Sequence, residues 1–185
     1  MKRKKKSVSE SLFVFKVIIA GNSGVGKTAL VQRFVDGRFI ADTKATIGVD
    51  FSLKNVNLQY PNLESSIALQ IWDMAGENRF RSILPYYIAG TQGLILAFSA
   101  DKRDTLGYLN EWLEVVNLYL TEKIPIILIS TKNDLAKGGP KDEIDSFMKQ
   151  NEITHYVETS ALNGQNVNEA FKLLTELIAK EKNLI

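Results

Sequence analysis

The chain has 185 residues, 45% of them apolar and 24% charged, which is enough for one substantial soluble domain and short for two. The formal charge is +2, but five positives sit in the opening "KRKKK"; subtracting them leaves −3, which argues against a basic body built to read nucleic acid. With no cysteine the chain is denied disulfides, thiolate chemistry and cysteine-linked lipids, and no apolar run approaches the ~18 residues of a membrane span.

Residues 1–11 read as a basic, disordered tail, able to touch anionic lipid or acidic partners through weak, salt-sensitive attraction. Lys2 stands where N-myristoylation needs glycine. The domain is expected over 12–182, with 183–185 as a short end, in a cytoplasmic, monomeric protein. "LFVFKVIIA" (12–20) reads as a buried strand. "KTALVQRFVDG" reads as a helix ending near Gly37. "TIGVDFSLKNVNL" and "SSIALQIWD" are extended stretches flanking a turn at Pro61 and Asn62, which predicts a hairpin. "GLILAFSA" (93–100) and "IPIILIS" (124–130) are dry runs suited to central parallel strands, and "THYVETSA" is the predicted last strand. Leu106, Leu109, Leu113, Val116 and Leu120 recur at helical spacing, as do Val167, Ala170, Phe171, Leu174, Leu177 and Ile178. Trp112 and Tyr119, seven apart, read as packing residues, and His155 as a polar strand position. Strand–helix alternation throughout predicts an α/β fold with a mostly parallel sheet and helices on both faces. Ligands of such folds sit at the carboxyl ends of the strands.

"GNSGVGKT", Gly21 to Thr28, follows the first strand and opens the first helix, and fits G-x-x-x-x-G-K-[ST]. Gly21, Gly24 and Gly26 let the backbone curl so that amides face a polyphosphate, and the helix N-terminus adds its partial positive charge. The predicted cradle comprises Ser23, Gly24, Val25, Gly26, Lys27, Thr28 and Ala29. In it Lys27 reaches the outer phosphates and Thr28 sets its hydroxyl on Mg²⁺. This motif names no base, since nucleotide kinases and ATPases share it. "STKNDLA" is more selective. The carboxylate of Asp134 matches guanine's ring N–H and exocyclic amine, a pair of donors that adenine lacks on that edge. The stem of Lys132 can lie over the base. In "ETSAL" the amide of Ala161, beside Leu162, can reach the guanine oxygen, with Ser160 bracing the loop.

These motifs, with "ATIGVDF" and "WDMAGENRF", stand in the order and near the spacing of one family. From about Phe13 to about Ala179 the chain resembles the Ras superfamily of small GTPases, and "IGVDF", "LQIWD" and the tyrosine pair at 86–87 look most like its Rab branch. The resemblance implies the P-loop NTPase fold of a Ras-like G domain that binds GTP or GDP with Mg²⁺. It gives Thr46 to Mg²⁺ and the γ-phosphate, Asp73 to Mg²⁺ through water, the amide of Gly76 to the γ-phosphate, and Phe39 to the edge of the base. It makes Phe51, Trp72 and Tyr87 an aromatic surface read by effectors, and it implies an exchange factor and a GTPase-activating protein.

Four departures stand out. Thr131 occupies a position usually held by asparagine, which lowers the expected affinity. The span from Thr46 to Asp73 is longer than usual, extending the hairpin tip near Tyr60 and Pro61. Tyr86 is shifted by one place, while Tyr87 keeps register. The C-terminus stops soon after the last helix, without the family's variable tail and prenylated cysteines: either the sequence is trimmed there or the protein reaches membranes differently, if at all, with the basic N-terminus available for contact.

Glu77 replaces the glutamine that usually follows this glycine and orients the attacking water. A carboxylate cannot donate that hydrogen bond. Held near a γ-phosphate it would meet repulsion of about 4 kcal/mol at about 4 Å and an effective dielectric near ~20. Glu77 is therefore expected to turn toward Arg79 or Arg81, with slow GTP hydrolysis as the result. General-base action by Glu77, a solvated loop acid with catalysis supplied by a partner, and a permanently GTP-bound binding module are the alternatives. An ATP-using phosphotransferase is a fourth, which Asp134 opposes.

Overall fold

Six strands alternate with helices along the chain: β1 (Phe13–Ala20), β2 (Val49–Tyr60), β3 (Leu63–Met74), β4 (Gly93–Ser99), β5 (Ile126–Thr131) and β6 (His155–Glu158). The computed structural model describes residues 13–41, 45–60, 63–120, 122–136 and 139–185. The basic tail and the turn at Pro61 and Asn62 lie outside the described residues. The strands form one sheet of order β2-β3-β1-β4-β5-β6. The β2–β3 pair is the predicted antiparallel hairpin, and the other neighbours are parallel.

The sheet is dry on both sides at its centre. All seven residues of β4 are buried, which explains why its sequence shows no alternation. Along β1 the side chains divide by parity. Phe15, Val17 and Ile19 enter one core with α1 (Lys27–Asp36) and α6 (Val167–Glu181). Ile18 and Ala20 enter the other, with α2 (Leu84–Ile88), α3 (Asp104–Gly107), α4 (Leu109–Tyr119) and α5 (Lys141–Gln150). Helices thus cover both faces, as expected. The α1 helix stops at Gly37, whose φ of 73° lets its N–H close on Arg33 O at 3.0 Å.

The leucine-spaced segment is not one helix. It breaks between α3 and α4 at Tyr108, and Leu120 lies past the end with extended backbone (ψ 128°). Nor does Tyr119 pack as Trp112 does: Trp112 is 1% exposed and Tyr119 45%. Seven residues fall about 20° short of two helical turns, and Tyr119 ends its helix. The α5 helix and the 3₁₀ turn Asn78–Ile83 with α2 had no predicted counterpart. In α5 only Ile144 and Phe147 are buried, too few to mark a helical face in a segment half of whose residues are charged. His155 opens β6, with Nδ1 2.8 Å from Thr154 Oγ1.

Phe171 is fully buried and stacks on Phe34 with ring centroids 4.0 Å apart, clamping α6 to α1. Phe171→Ala should cost about 3–5 kcal/mol of stability, read as a lower urea midpoint with an unchanged slope.

Candidate functional site

The parallel strands end side by side, and a cavity of about 540 Å³ opens there, within the range of small-ligand sites. Its walls come from the segments the sequence singled out. Ser23, Gly24, Gly26, Lys27, Thr28 and Ala29 line one end, with Phe39, Thr46 and Gly76 beside them; Thr131, Lys132, Asp134, Ala161 and Leu162 line the other. Val25 and Ser160 are buried behind this wall. Ile40, Ala41, Ala45 and Leu135 also line it. Sequence reasoning missed these four; their only signal is adjacency to Phe39, Thr46 and Asp134. A larger depression of about 730 Å³ near the starts of β5 and β6, beside Ile126 and His155, holds none of the motif residues.

The loop before α1 is shaped by close backbone contacts. A Cβ at Gly21 would lie 2.1 Å from Ala97 O, and one at Gly76 would lie 2.2 Å from Ser23 N. Gly76 therefore abuts the phosphate loop directly. Lys27 is buried, and its Nζ donates to Gly21 O at 2.7 Å and Asn22 O at 2.9 Å. Burial lowers its pKa to about 8, with the Asp73 charge pulling upward. The ammonium staples the loop closed and faces the cavity.

Next to it, Thr28 Oγ1 lies 2.5 Å from Asp73 Oδ2 and 2.7 Å from Thr46 Oγ1, and Thr46 Oγ1 lies 3.5 Å from the same carboxylate oxygen. Three residues from distant parts of the chain thus bring oxygen donors to one point. Asp73 Oδ1 is buried and has no hydrogen-bond partner among the described residues. An all-oxygen set around a carboxylate with a free lone pair fits a hard dication such as Mg²⁺.

At the far end, the β5 and β6 loops meet. Ser160 Oγ donates to Asp134 Oδ1, so the predicted brace acts on the carboxylate itself. Thr131 Oγ1 lies against Val25 O and 3.0 Å from Phe98 O; its single proton serves one carbonyl at a time. Lys132 Nζ donates to Gly24 O at 2.8 Å. Both residues tie this loop to the phosphate loop. Lys132 holds a left-handed φ of 57°, uncommon outside glycine and asparagine. No pattern in the sequence signals this, nor the buried Asn133, whose side-chain amide donates to Ser130 and Thr159.

Two further elements lie outside the cavity. Glu77 is ion-paired to Arg79, Oε2 to Nε 2.8 Å; the side chains of Asn78 and Arg81 lie outside the described residues. Phe51 and Tyr87 flank Trp72, with centroids 5.2 and 5.4 Å away, whereas Tyr86 is 82% exposed. The tyrosine in family register is therefore the one that packs.

The Ras family model matches residues 16–180. The chain belongs to the Ras family. It is 37% identical over 177 residues to Ras-related protein RABA4b of Arabidopsis thaliana, covering 93% of this chain and 77% of that protein. Ras-related protein Rab11D of Nicotiana tabacum is also 37% identical, over 93% of this chain and 78% of its own length. Ras-related protein Rab-4A of Danio rerio is 38% identical over 161 residues, 86% of this chain and 73% of its own. This Ras-family protein is thus Rab-like, a small GTPase that converts GTP to GDP and phosphate. Ras and Rab proteins generally bind guanine nucleotides and Mg²⁺.

In this GTPase Asp73 carries a testable charge. Burial raises its pKa from 3.8 to about 6, opposed by the Thr28 hydrogen bond and Lys27, with Asp50 raising it slightly and Thr46 lowering it. The folded state then holds a proton that the unfolded state releases. Stability from this group is full below the unfolded pKa, near pH 4, and is lost as pH rises through about 6, by ~3 kcal/mol in all from the size of the displacement. In nucleotide-free, Mg²⁺-free protein, the stability of the parent relative to Asp73→Asn should fall by that order between about pH 3 and 7, measured by urea denaturation at each pH.

Proposed function

We propose that this protein is a guanine-nucleotide switch that holds GTP or GDP with Mg²⁺ in the strand-end cavity and hydrolyses GTP slowly. One observation carries the reading: a single cavity has the braced carboxylate of Asp134 at one end and Lys27, Thr28 and Thr46 at the other. That spacing suits a base at one end and phosphates at the other.

Each residue then has a task. Asp134 accepts from two guanine donors, Ala161 offers its amide to the base oxygen, and the Lys132 stem and Phe39 enclose the base. Amides of the Ser23–Ala29 turn point at phosphate, and Lys27 exchanges its two loop carbonyls for phosphate oxygens. Thr28, Thr46 and, through water, Asp73 would hold Mg²⁺, which when bound would offset the charge of the outer phosphates. Thr46 and Gly76 offer backbone amides to the γ-phosphate, so the loops carrying them (about 38–50 and 74–84) relax when it leaves. Phe51, Trp72 and Tyr87 form the face offered to effectors, with exchange and activating proteins setting the cycle. The Rab-named relatives support a role in membrane trafficking. Among the described residues no helix is long and apolar enough to cross a membrane. In this reading the protein is a cytoplasmic monomer that meets membranes at their surface.

Slow hydrolysis rests on Glu77. Its pairing with Arg79 holds the carboxylate by a charge of opposite sign, and a carboxylate has no N–H to orient a water. The same pairing favours the second reading, a module kept in the GTP form. Chromatography of the nucleotide released from the purified protein decides between them: GDP marks a cycling switch and GTP a static one, while adenine nucleotide overturns both. In single-turnover assays with Mg²⁺, Glu77→Gln should speed hydrolysis roughly tenfold or more, the order of effect of one well-placed donor. An unchanged or slower rate would sink the role given to Glu77.

A further inference from the structure

We propose that Asn133 is a positioning residue for base selection: its buried amide clamps the β5 loop to the β6 loop and so fixes the carboxylate of Asp134. The inference rests on the reading of Asp134 as the guanine selector. Asn133 stands between Lys132 and Asp134 but lines no part of the cavity, and it is 7% exposed. It therefore acts on the ligand only through its neighbours.

Its Nδ2 lies 3.0 Å from Ser130 O, 2.8 Å from Ser130 Oγ and 3.0 Å from Thr159 O. Two N–H bonds thus serve three acceptors, two on β5 and one just past β6. The clamp sits where the ladder gives out. Pairing of β5 with β6 ends at Ser130 and Glu158, and both selecting loops lie beyond it. Asp134 is the next residue after Asn133, and Ser160, which donates to Asp134, is the next after Thr159. A shift of one loop against the other would pull these two apart.

The acceptors of this amide all have other donors. Ser130 O receives Thr159 N at 2.7 Å and Thr159 Oγ1 at 2.8 Å; Ser130 Oγ receives Tyr156 Oη at 2.7 Å; Thr159 O receives the backbone N of Asn133 at 3.2 Å. Removing the side chain therefore leaves each of these three acceptors with a donor among the described residues, and the large penalty for an unsatisfied group is not incurred at them. What is lost is the relative placement of the loops. A mere folding role would weaken every nucleotide alike, whereas a positioning role falls on the contact Asp134 makes.

Inosine diphosphate isolates that contact, because it keeps the base oxygen and ring N–H of GDP and lacks the exocyclic amine. Titration of the parent with both, in Mg²⁺, should show a preference for GDP. In Asn133→Ala that preference should shrink by roughly three- to tenfold, as expected for weakening one charge-assisted hydrogen bond. Ser130→Ala, which removes one acceptor of the amide, should give a weaker change in the same direction, and serves if Asn133→Ala does not fold. Tyr156→Phe, which leaves the Asn133 bonds in place, should keep the parental preference. If the preference survives in both Asn133→Ala and Ser130→Ala, with GDP and inosine diphosphate weakened equally, Asn133 has no positioning role and the Asp134 reading stands. If the parent binds ADP as well as GDP, the base reading itself is wrong and the clamp falls with it.

Discussion

The register of β1 against β3 sets the rest of the site. Ile19 pairs with Asp73, so β3 delivers its carboxylate beside the last turn of β1, two residues before Gly21. A slip of one residue would turn Asp73 away and bring Met74 or Trp72 to the hydroxyls of Thr28 and Thr46, while every core side chain on β3 changed faces. The register is held by Ile67, Leu69 and Ile71, each fully buried in the core with Phe15, Val17 and Ile19. Hydrophobic packing several residues away thus fixes where a negative charge sits.

That charge is uncomfortable where it is. Asp73 and Lys27 are both buried, and burial pushes each toward its neutral form while each charge steadies the other. Their placement costs stability and is held by the surrounding backbone, much as strained groups at functional sites are. The loop carbonyls that accept from Lys27 are temporary partners by nature, poorer than an anion.

Much of this was legible in the sequence because the informative residues are punctuated by glycine and follow dry strands. The phosphate turn, the hairpin, the central strands and the meeting of Thr28, Thr46 and Asp73 all follow from local pattern or family likeness. What was hidden has a common cause. The left-handed Lys132, the buried Asn133 and the wall residues Ile40, Ala41, Ala45 and Leu135 depend on how two loops meet, and no periodicity records that. The α5 helix was missed because a helix that buries two side chains leaves little apolar signal, and Tyr119 misled because heptad spacing drifts around an isolated helix.

Gly76 has a mechanical corollary. A methyl group there would overlap Ser23 N and the Asn22 carbonyl carbon, so the clearance between the two loops is less than one carbon atom. Packed surfaces with so little slack transmit displacement instead of absorbing it. A displacement of the Asn22–Ser23 turn would therefore press on Gly76 backbone against backbone, with no intervening side chain to soften it.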